Sequence, residues 1–191
     1  MAVHLTRIYT RTGDAGQTRL GDMSQTSKTA PRLAAYADVD EANSALGVAL
    51  ALGTLGEDLR AVLDSVQNDL FDVGADLSTP VSPDPAYPPL RITQAYIDRL
   101  EAACDEHNDA LRPLDSFILP GGTPAAALLH VARTVVRRAE RSGWALVADD
   151  GPERVNVLAV TYLNRLSDLL FILARVANPD GDVMWVPGEN R

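Results

Sequence analysis

Apolar residues recur every three or four positions along most of this chain, and this spacing constrains the fold more than any other feature. Such a period places the apolar side chains on one face of an α-helix. It predicts five amphipathic helices, over residues 32–55, 57–76, 93–109, 124–147 and 153–177. No convincing strand and no internal repeat is found. The predicted fold is therefore all-α, a bundle of five helices.

The breaks between these helices are marked by proline and glycine. The stretch "STPVSPDPAYPPL" holds five of the twelve prolines and predicts an extended surface connection. Thr93 and Thr123 stand where helix N-caps are expected, and Asn178-Pro179 ends the last helix. With 191 residues, the chain predicts a single domain over 1–191, comprising a polar lead-in (1–30), the bundle (31–177) and a short tail (178–191).

Composition excludes several classes of protein. Cys104 is the only cysteine and there are three histidines, so no internal disulfide can form and a dedicated zinc site is not expected. We find no run of about 18 apolar residues and no apolar core of a signal peptide near the N-terminus. The net charge of −9 argues against nucleic-acid binding. These features predict a cytoplasmic protein with no membrane and no nucleic acid among its partners.

Basic residues nevertheless form two local clusters. Residues 1–32 carry a net charge of +3, which leaves −12 on the rest of the chain. The basic residues of the first cluster are Arg7, Arg11, Arg19, Lys28 and Arg32, and those of the second are Arg133, Arg137, Arg138 and Arg141. Two such clusters on an acidic protein could bind a small polyanion. Ordinary solvated surface charge is the alternative.

The opening segment, "YTRTGDAGQTRLGD", is rich in Thr, Gly and Asp. Glycines let backbone N–H groups turn toward an anion, and threonine hydroxyls supply further donors. The segment contains no Walker A motif, although Gly16 and Gly21 have its glycine spacing, and no strand precedes it as a Rossmann fingerprint requires. Asp14 and Asp22 could hold Mg²⁺ beside a polyphosphate. A di-iron bundle is excluded because no Glu-x-x-His pair is present.

Three of the predicted helices carry polar groups on the face opposite their apolar stripe. These are Arg32, Tyr36, Asp40, Asn43 and Gly47 on the first helix, Arg133, Arg137, Glu140 and Trp144 on the fourth with His130 and Arg141 at its edge, and Thr161, Asn164, Asp168 and Arg175 on the fifth. A solvated face, with Glu140 paired to Arg137, is one interpretation. The other interpretation is a second buried surface, made with another subunit. It is favoured because asparagine is a poor helix former, so its presence within these helices calls for another reason.

Five blocks of sequence, in order, resemble one family. They are "YTRTGDAGQT", "SKTAPRLAAYADVDEANSALG", "FILPGGT", "RTVVRRAER" and "YLNRLSDLLF". Together they resemble the PduO-type ATP:cob(I)alamin adenosyltransferases over nearly the whole chain, least in the proline-rich connection and the tail. Ala42 and Asp38 depart from the residues common in the family.

The resemblance implies a homotrimer of five-helix bundles with active sites between subunits. Such enzymes transfer the 5′-deoxyadenosyl group of ATP, taken up with Mg²⁺, to the cobalt of cob(I)alamin and release triphosphate. The opening segment would fold over ATP. The implied ATP-binding residues are Thr10, Arg11, Thr12, Gly13, Asp14, Ala15, Gly16, Gln17, Thr18, Lys28, Arg137, Glu140, Arg141 and Asn164.

The remaining implied roles concern the corrin and the subunit boundary. Phe117 and Phe171 would lie beneath the corrin, with Asp168 as a further cobalamin contact. Arg137, Phe117 and Asn164 are the implied catalytic residues, and Arg133 would pair with Asp40 of the next subunit. A cobalamin reductase and an adenosylcobalamin-dependent mutase are the implied protein partners. A non-catalytic nucleotide or corrinoid carrier, and an acidic scaffold without a ligand, are the alternatives.

Overall fold

The computed structural model describes residues 9–188, which form five α-helices and one small antiparallel hairpin. The helices are α1 (Pro31–Leu52), α2 (Glu57–Ser78), α3 (Gln94–Asn108), α4 (Pro124–Asp150) and α5 (Val157–Val176). The predicted five-helix fold is confirmed, although individual helix ends differ from the prediction by a few residues. Arg7, counted above in the first basic cluster, lies outside the described residues.

Helix α5 lies at the centre of the bundle, against α4, α3 and, at fewer points, α2. Leu163, Leu166 and Leu170 on this helix are fully buried. Residues 157–176 are also long and apolar enough to cross a membrane by length and composition alone. Burial in the core of the bundle accounts for this apolar character.

Thr123 joins the start of α4 to the end of α5. Its hydroxyl oxygen accepts a hydrogen bond from Ala126 N at 3.1 Å and caps α4. The same hydroxyl donates to Ala177 O, just beyond α5, at 2.7 Å. The predicted cap at Thr123 is thus confirmed. Thr93 does precede α3, but its side chain makes no capping hydrogen bond.

The polar opening segment contains the hairpin, and the expectation of no strand is wrong there. Strand β1 (Gln17–Arg19) pairs with β2 (Gln25–Ser27), with Thr18 opposite Thr26. Three-residue strands without apolar residues have no hydrophobic period, so nothing in the sequence marks them. The hairpin is attached to the end of α2 and to the proline-rich connection. Gly21 N donates to Ser78 O and Tyr87 Oη donates to Gly21 O, each at 3.0 Å.

Two residues predicted on the polar face of α1 are instead part of the interior. Arg32 is buried, with its Nη2 at 2.5 Å from Asp150 Oδ2 and its Nη1 donating to Leu77 O at 2.7 Å. Asn43 is also buried and donates to Gln67 O at 3.0 Å, across to α2. Because α1 packs against both α4 and α2, two of its faces are covered.

The proline-rich connection is extended, as predicted, and a buried carboxylate holds its end. Asp76 lies 2.5 Å from Arg91 Nη1 and accepts hydrogen bonds from Ile92 N at 2.7 Å and Asn156 Nδ2 at 2.6 Å. The three donors come from the connection and from the start of α5. A single carboxylate at the end of α2 therefore fixes the beginning of the central helix.

Candidate functional site

The opening segment folds so that Lys28 lies across its glycines. Lys28 N donates to Gly16 O at 2.9 Å, and Gly16 N donates to Gly13 O at 3.2 Å. A Cβ at Gly13 would lie 2.9 Å from Lys28 Nζ, so the lysine side chain lies directly over this glycine and would have to shift for any other residue. Gly16 has a φ of 77°, in the left-handed region. The fold thus holds a cation against a turn whose residues 10–12 and 14–17 are exposed.

The two aspartates of this segment differ in their surroundings. Asp22 accepts hydrogen bonds from Ser24 N at 3.0 Å and Ser24 Oγ at 2.6 Å. Burial disfavours its charged form, but the bonds from Ser24 outweigh burial and lower the pKa of Asp22. Asp14 is exposed on the turn beside Gly13. Within residues 9–188 no three His, Cys, Asp or Glu side chains are grouped to hold a metal ion.

A second polar surface is formed where α4 and α5 approach each other closely. A Cβ at Gly143 would lie 3.0 Å from Val160 Cγ2, so the missing side chain permits this close packing. One turn away, Asn164 Nδ2 donates to Glu140 Oε1 at 3.1 Å. Arg137 and Arg141 are exposed on the same side of α4. We call Arg137, Glu140, Arg141 and Asn164 the α4–α5 face.

The structure separates two pairs of residues that the sequence suggested would act together. Glu140 makes its hydrogen bond with Asn164 rather than with Arg137. Arg138 does not belong with Arg137, because it turns toward α1 and pairs with Asp38 at 3.5 Å and with Glu41. Arg138 is therefore not part of the second basic cluster in the structure.

Arg133, His130 and Phe171 form a contact between α4 and α5 near the α4–α5 face. The Arg133 guanidinium carbon lies 5.9 Å from the centre of the Phe171 ring, and the His130 ring lies 6.2 Å from it, edge-on. Arg133 Nε and His130 Nδ1 are buried without a hydrogen-bond partner among residues 9–188. Burial and neighbouring Arg137 lower the pKa of Arg133, so this site favours an added negative charge.

Asp40 lies elsewhere, on the rim of a groove between the hairpin, α1 and α2. The groove has a volume of about 570 Å³ and is also lined by Arg19, Tyr36, Asn43 and Phe71. Asp40 is exposed, and Phe71 is 70% exposed. Asn43 Oδ1 is buried without a partner among the described residues. The carboxylate of Asp40 and the ring of Phe71 are thus accessible at this groove to a ligand or another subunit.

Phe117 is held on the surface by the chain's own tail, a pairing the sequence did not reveal. Trp185 N donates to Phe117 O at 2.7 Å, and Leu119 N donates to Val183 O at 2.8 Å. The Phe117 and Trp185 rings lie 6.0 Å apart. Phe117 itself is 77% exposed. No motif or hydrophobic period in so short a tail could have identified Trp185 as its neighbour.

Asp168 and Phe171, both on α5, have different neighbours. Its carboxylate accepts a hydrogen bond from Arg165 Nη1 at 2.8 Å, and Arg165 also pairs with Glu101 of α3 at 2.9 Å. Asp168 also lines a small cavity with Cys104 of α3. Its carboxylate is therefore engaged within the chain.

The structure gathers the predicted residues into separate groups rather than one site. Lys28 lies with the glycine turn, Glu140 with Asn164, and Arg133 with Phe171. In the described part of the chain, no hydrogen bond or ion pair joins residues 10–30 to Arg137, Glu140 or Asn164. The opening segment and the α4–α5 face are thus not in direct polar contact within the described part of one chain.

Comparisons with known proteins identify relatives over the whole length. Residues 8–177 match the family model described as cobalamin adenosyltransferase. Corrinoid adenosyltransferases of Mycobacterium bovis and Mycobacterium leprae are 68% and 63% identical to this chain. The first alignment covers all of this chain and 98% of the relative, and the second covers 98% of this chain and all of the relative.

A solved structure shares the fold as well. It is a variant of the PduO-type ATP:corrinoid adenosyltransferase of Lactobacillus reuteri, complexed with cobalamin and ATP. It has a TM-score of 0.86 and 38% sequence identity, and the match covers 94% of this chain and 99% of that one.

Proposed function

The chain belongs to the cobalamin adenosyltransferase family and is a corrinoid adenosyltransferase of the PduO type, and we propose that two copies of it complete each active site. In this proposal the opening segment of one subunit and the α4–α5 face of the next enclose ATP. The reaction moves the 5′-deoxyadenosyl group of ATP to the cobalt of cob(I)alamin. The observation that carries the proposal is that, among residues 9–188, no hydrogen bond or ion pair joins Lys28 and its glycine turn to Arg137, Glu140 or Asn164.

The unpartnered groups support a contact between subunits. Arg133 Nε is buried without a partner, while Asp40 is exposed on the rim of a groove elsewhere on the chain. An arginine of this kind is satisfied best by a carboxylate, which can accept two of its N–H groups. We therefore propose that Asp40 pairs with Arg133 of the partner subunit in a homotrimer, as the family resemblance implies.

The chemistry requires little acid–base help from the protein. Cob(I)alamin carries a nucleophilic cobalt, whose electron pair forms the bond to C5′ of ATP. The C5′–O bond breaks, and its electron pair leaves with triphosphate. The protein must bring the two reacting atoms within about 3–3.5 Å of each other and stabilise the departing charge. We place Lys28 and Arg137 at that triphosphate, with Arg141 as a further hydrogen-bond donor.

Within the same site, the opening turn binds the phosphates of ATP. Exposed backbone and hydroxyl groups of residues 10–18 supply the donors, and Gly13 and Gly16 permit close approach. Mg²⁺ would enter with ATP, since this ion usually keeps several waters and needs only one or two carboxylates. Asp14, which is exposed beside the turn, fits this role better than Asp22, whose carboxylate is occupied by Ser24.

Glu140 and Asn164 are proposed to contact ATP from the helical side. Their mutual hydrogen bond fixes both side chains before ATP arrives, so less conformational freedom is lost on binding.

Phe171 and Phe117 are proposed to contact the corrin. Phe171 is held by Arg133 and His130, and Phe117 by the tail. Aromatic rings at the lower face of the corrin would exclude cobalt ligands and make Co(II) easier to reduce. Asp168 is retained as a cobalamin contact, which would require its carboxylate to exchange or share its bond with Arg165.

The proposal includes a cytoplasmic setting. A cobalamin reductase would supply the electron, and an adenosylcobalamin-dependent mutase would receive the product.

The test compares two adjacent arginines of α4. Arg137→Ala should lower turnover of cob(I)alamin and Mg-ATP by about 100-fold, as expected when a donor to a developing anion is removed. Arg138→Ala is the matched control, because Arg138 pairs with Asp38 and Glu41 on the surface and should retain turnover. Equal turnover by the two variants would remove Arg137 from the site. ATP binding without any product in the wild type would favour a carrier.

A further inference from the structure

Trp144 is a large aromatic residue on the surface of α4 that the proposed site does not yet use. Its side chain is 47% exposed. It follows directly after Gly143, where α4 and α5 approach closely, and lies one turn beyond Glu140. An exposed indole does not contribute the free energy that its burial would give. A ligand or subunit that covered Trp144 would therefore be bound more tightly.

The geometry of the helix aligns Trp144 with Arg137. Seven residues separate them, which is nearly two full turns, so both side chains leave α4 on the same side. The axial distance is about 10 Å, from a rise of 1.5 Å per residue. The Glu140–Asn164 hydrogen bond lies between them. The surface thus runs from a cation, across a polar pair, to an aromatic ring.

A nucleotide has the same order of chemical groups. Its phosphates are anionic, its ribose is polar, and its base is a flat aromatic ring. With the triphosphate at Arg137 and the ribose beside Glu140 and Asn164, the base would extend toward Trp144. Base–aromatic stacking is tolerant of the exact base and contributes useful binding free energy.

We propose that Trp144 stacks on the adenine of ATP bound at the α4–α5 face. This inference rests on the proposed function, because it takes the phosphate position from Arg137. It assigns Trp144 to substrate binding rather than to the stability of the bundle. A contact between subunits is the competing role for an exposed indole, and it would not depend on the base of a bound nucleotide.

The first measurement uses intrinsic fluorescence, which the chain suits because its only tryptophans are Trp144 and Trp185. In the Trp185→Phe protein all tryptophan emission comes from Trp144. ATP should quench this emission, and inorganic triphosphate, which has no base, should not. Emission that responds equally to the two compounds, or to neither while calorimetry shows ATP binding, would overturn the proposal.

The second measurement compares affinities in otherwise unaltered protein. Trp144→Ala should raise the KM for ATP by about 5- to 140-fold, the range given by loss of one stacked base. Inhibition by inorganic triphosphate should keep its wild-type constant, and Trp144→Phe should restore most of the ATP affinity. A general structural defect, by contrast, would weaken both compounds alike and would not be rescued selectively.

Three results would refute the stacking. They are an unchanged KM for ATP in Trp144→Ala, equal weakening of ATP and triphosphate, and a shift to smaller assemblies that alone accounts for the loss of ATP affinity. If Trp144→Ala fails to fold, the fluorescence titration still decides. Failure of the proposed function is distinguishable, because a protein without adenosyl transfer would still show base-dependent quenching at Trp144 if the stacking is correct.

Discussion

Replacing Arg32 by methionine should destabilise the fold strongly, although the sequence suggested a surface residue. The side chain is only 4% exposed. Its guanidinium contacts Asp150 through Nε at 3.1 Å and Nη2 at 2.5 Å, and donates to the carbonyls of Leu77 at 2.7 Å and Arg154 at 3.0 Å. These contacts tie the start of α1 to the ends of α2 and α4.

The loss of unfolding free energy can be estimated from the Asp150 carboxylate, which Arg32→Met leaves without its partner. Removing one partner of a buried ion pair costs about 3–5 kcal/mol, because the other charge stays uncompensated. Asp150 is 27% exposed and can regain some water, so we expect the lower end, about 3 kcal/mol. For a chain of this size, that corresponds to a fall in Tm of about 6–12 °C.

Urea unfolding at a fixed protein concentration is the assay, because subunit association would also change apparent stability. Arg138→Met is the matched control. Arg138 also joins α4 to carboxylates of α1, but it is 40% exposed, and solvent screens such pairs so that they contribute little to stability. If Arg32→Met lost no more unfolding free energy than Arg138→Met, the buried network would not have the role assigned to it.

Three further predictions concern single side chains. Phe117→Ala should impair synthesis that starts from Co(II) more than synthesis from preformed Co(I), measured by anaerobic absorbance; equal losses would exclude the ligand-exclusion role. Burial and Arg133 lower the pKa of His130 below 6.5, so the unfolded chain binds more protons once the pH falls below that value. Unfolding free energy should therefore decline from pH 7 to pH 5, and His130→Phe should flatten this decline; an unaltered slope would contradict the assignment. Burial raises the pKa of the Cys104 thiol to about 11, so alkylation by iodoacetamide at pH 7.5 should be at least about tenfold slower than for free cysteine.

The helices were predictable because their formation depends on a period that the sequence displays. The apolar residues of α4 and α5 repeat with the period of a helix, and each helix packs one continuous stripe against its neighbours. Local chemistry also fixed one boundary, since Thr123 and Pro124 together start α4. Such features need no knowledge of which other helix lies opposite.

Burial of polar residues was harder to predict because it depends on neighbours. Arg32 and Asn43 lie off the apolar stripe of α1, yet both are covered, by α4 and α2 respectively. A helical period identifies the face of a helix but not a second helix packed against another of its faces. Arg138 was misplaced for the same reason, because its position next to Arg137 in sequence does not show that it turns toward α1.

The candidate site was predictable only in its components. Thr, Gly and Lys in the opening segment indicated anion binding, and Arg137, Glu140 and Asn164 were expected on polar faces. The hairpin, the Glu140–Asn164 hydrogen bond and the pairing of Phe117 with Trp185 depend on contacts between distant segments. These contacts have no local signal, so sequence reasoning could not supply them.

The central claim is that ATP and cob(I)alamin react at a site built from Lys28 of one subunit and Arg137 of another. The most direct measurement mixes two impaired variants, Lys28→Ala and Arg137→Ala, after dissociation and reassembly together, and follows adenosylcobalamin formation anaerobically. Mixed assemblies would contain some sites with both residues intact, so activity should rise well above that of either variant, whereas each variant reassembled alone should stay at its own low rate. If the mixture recovers no activity while wild-type protein treated identically does, the two residues do not act across a subunit boundary.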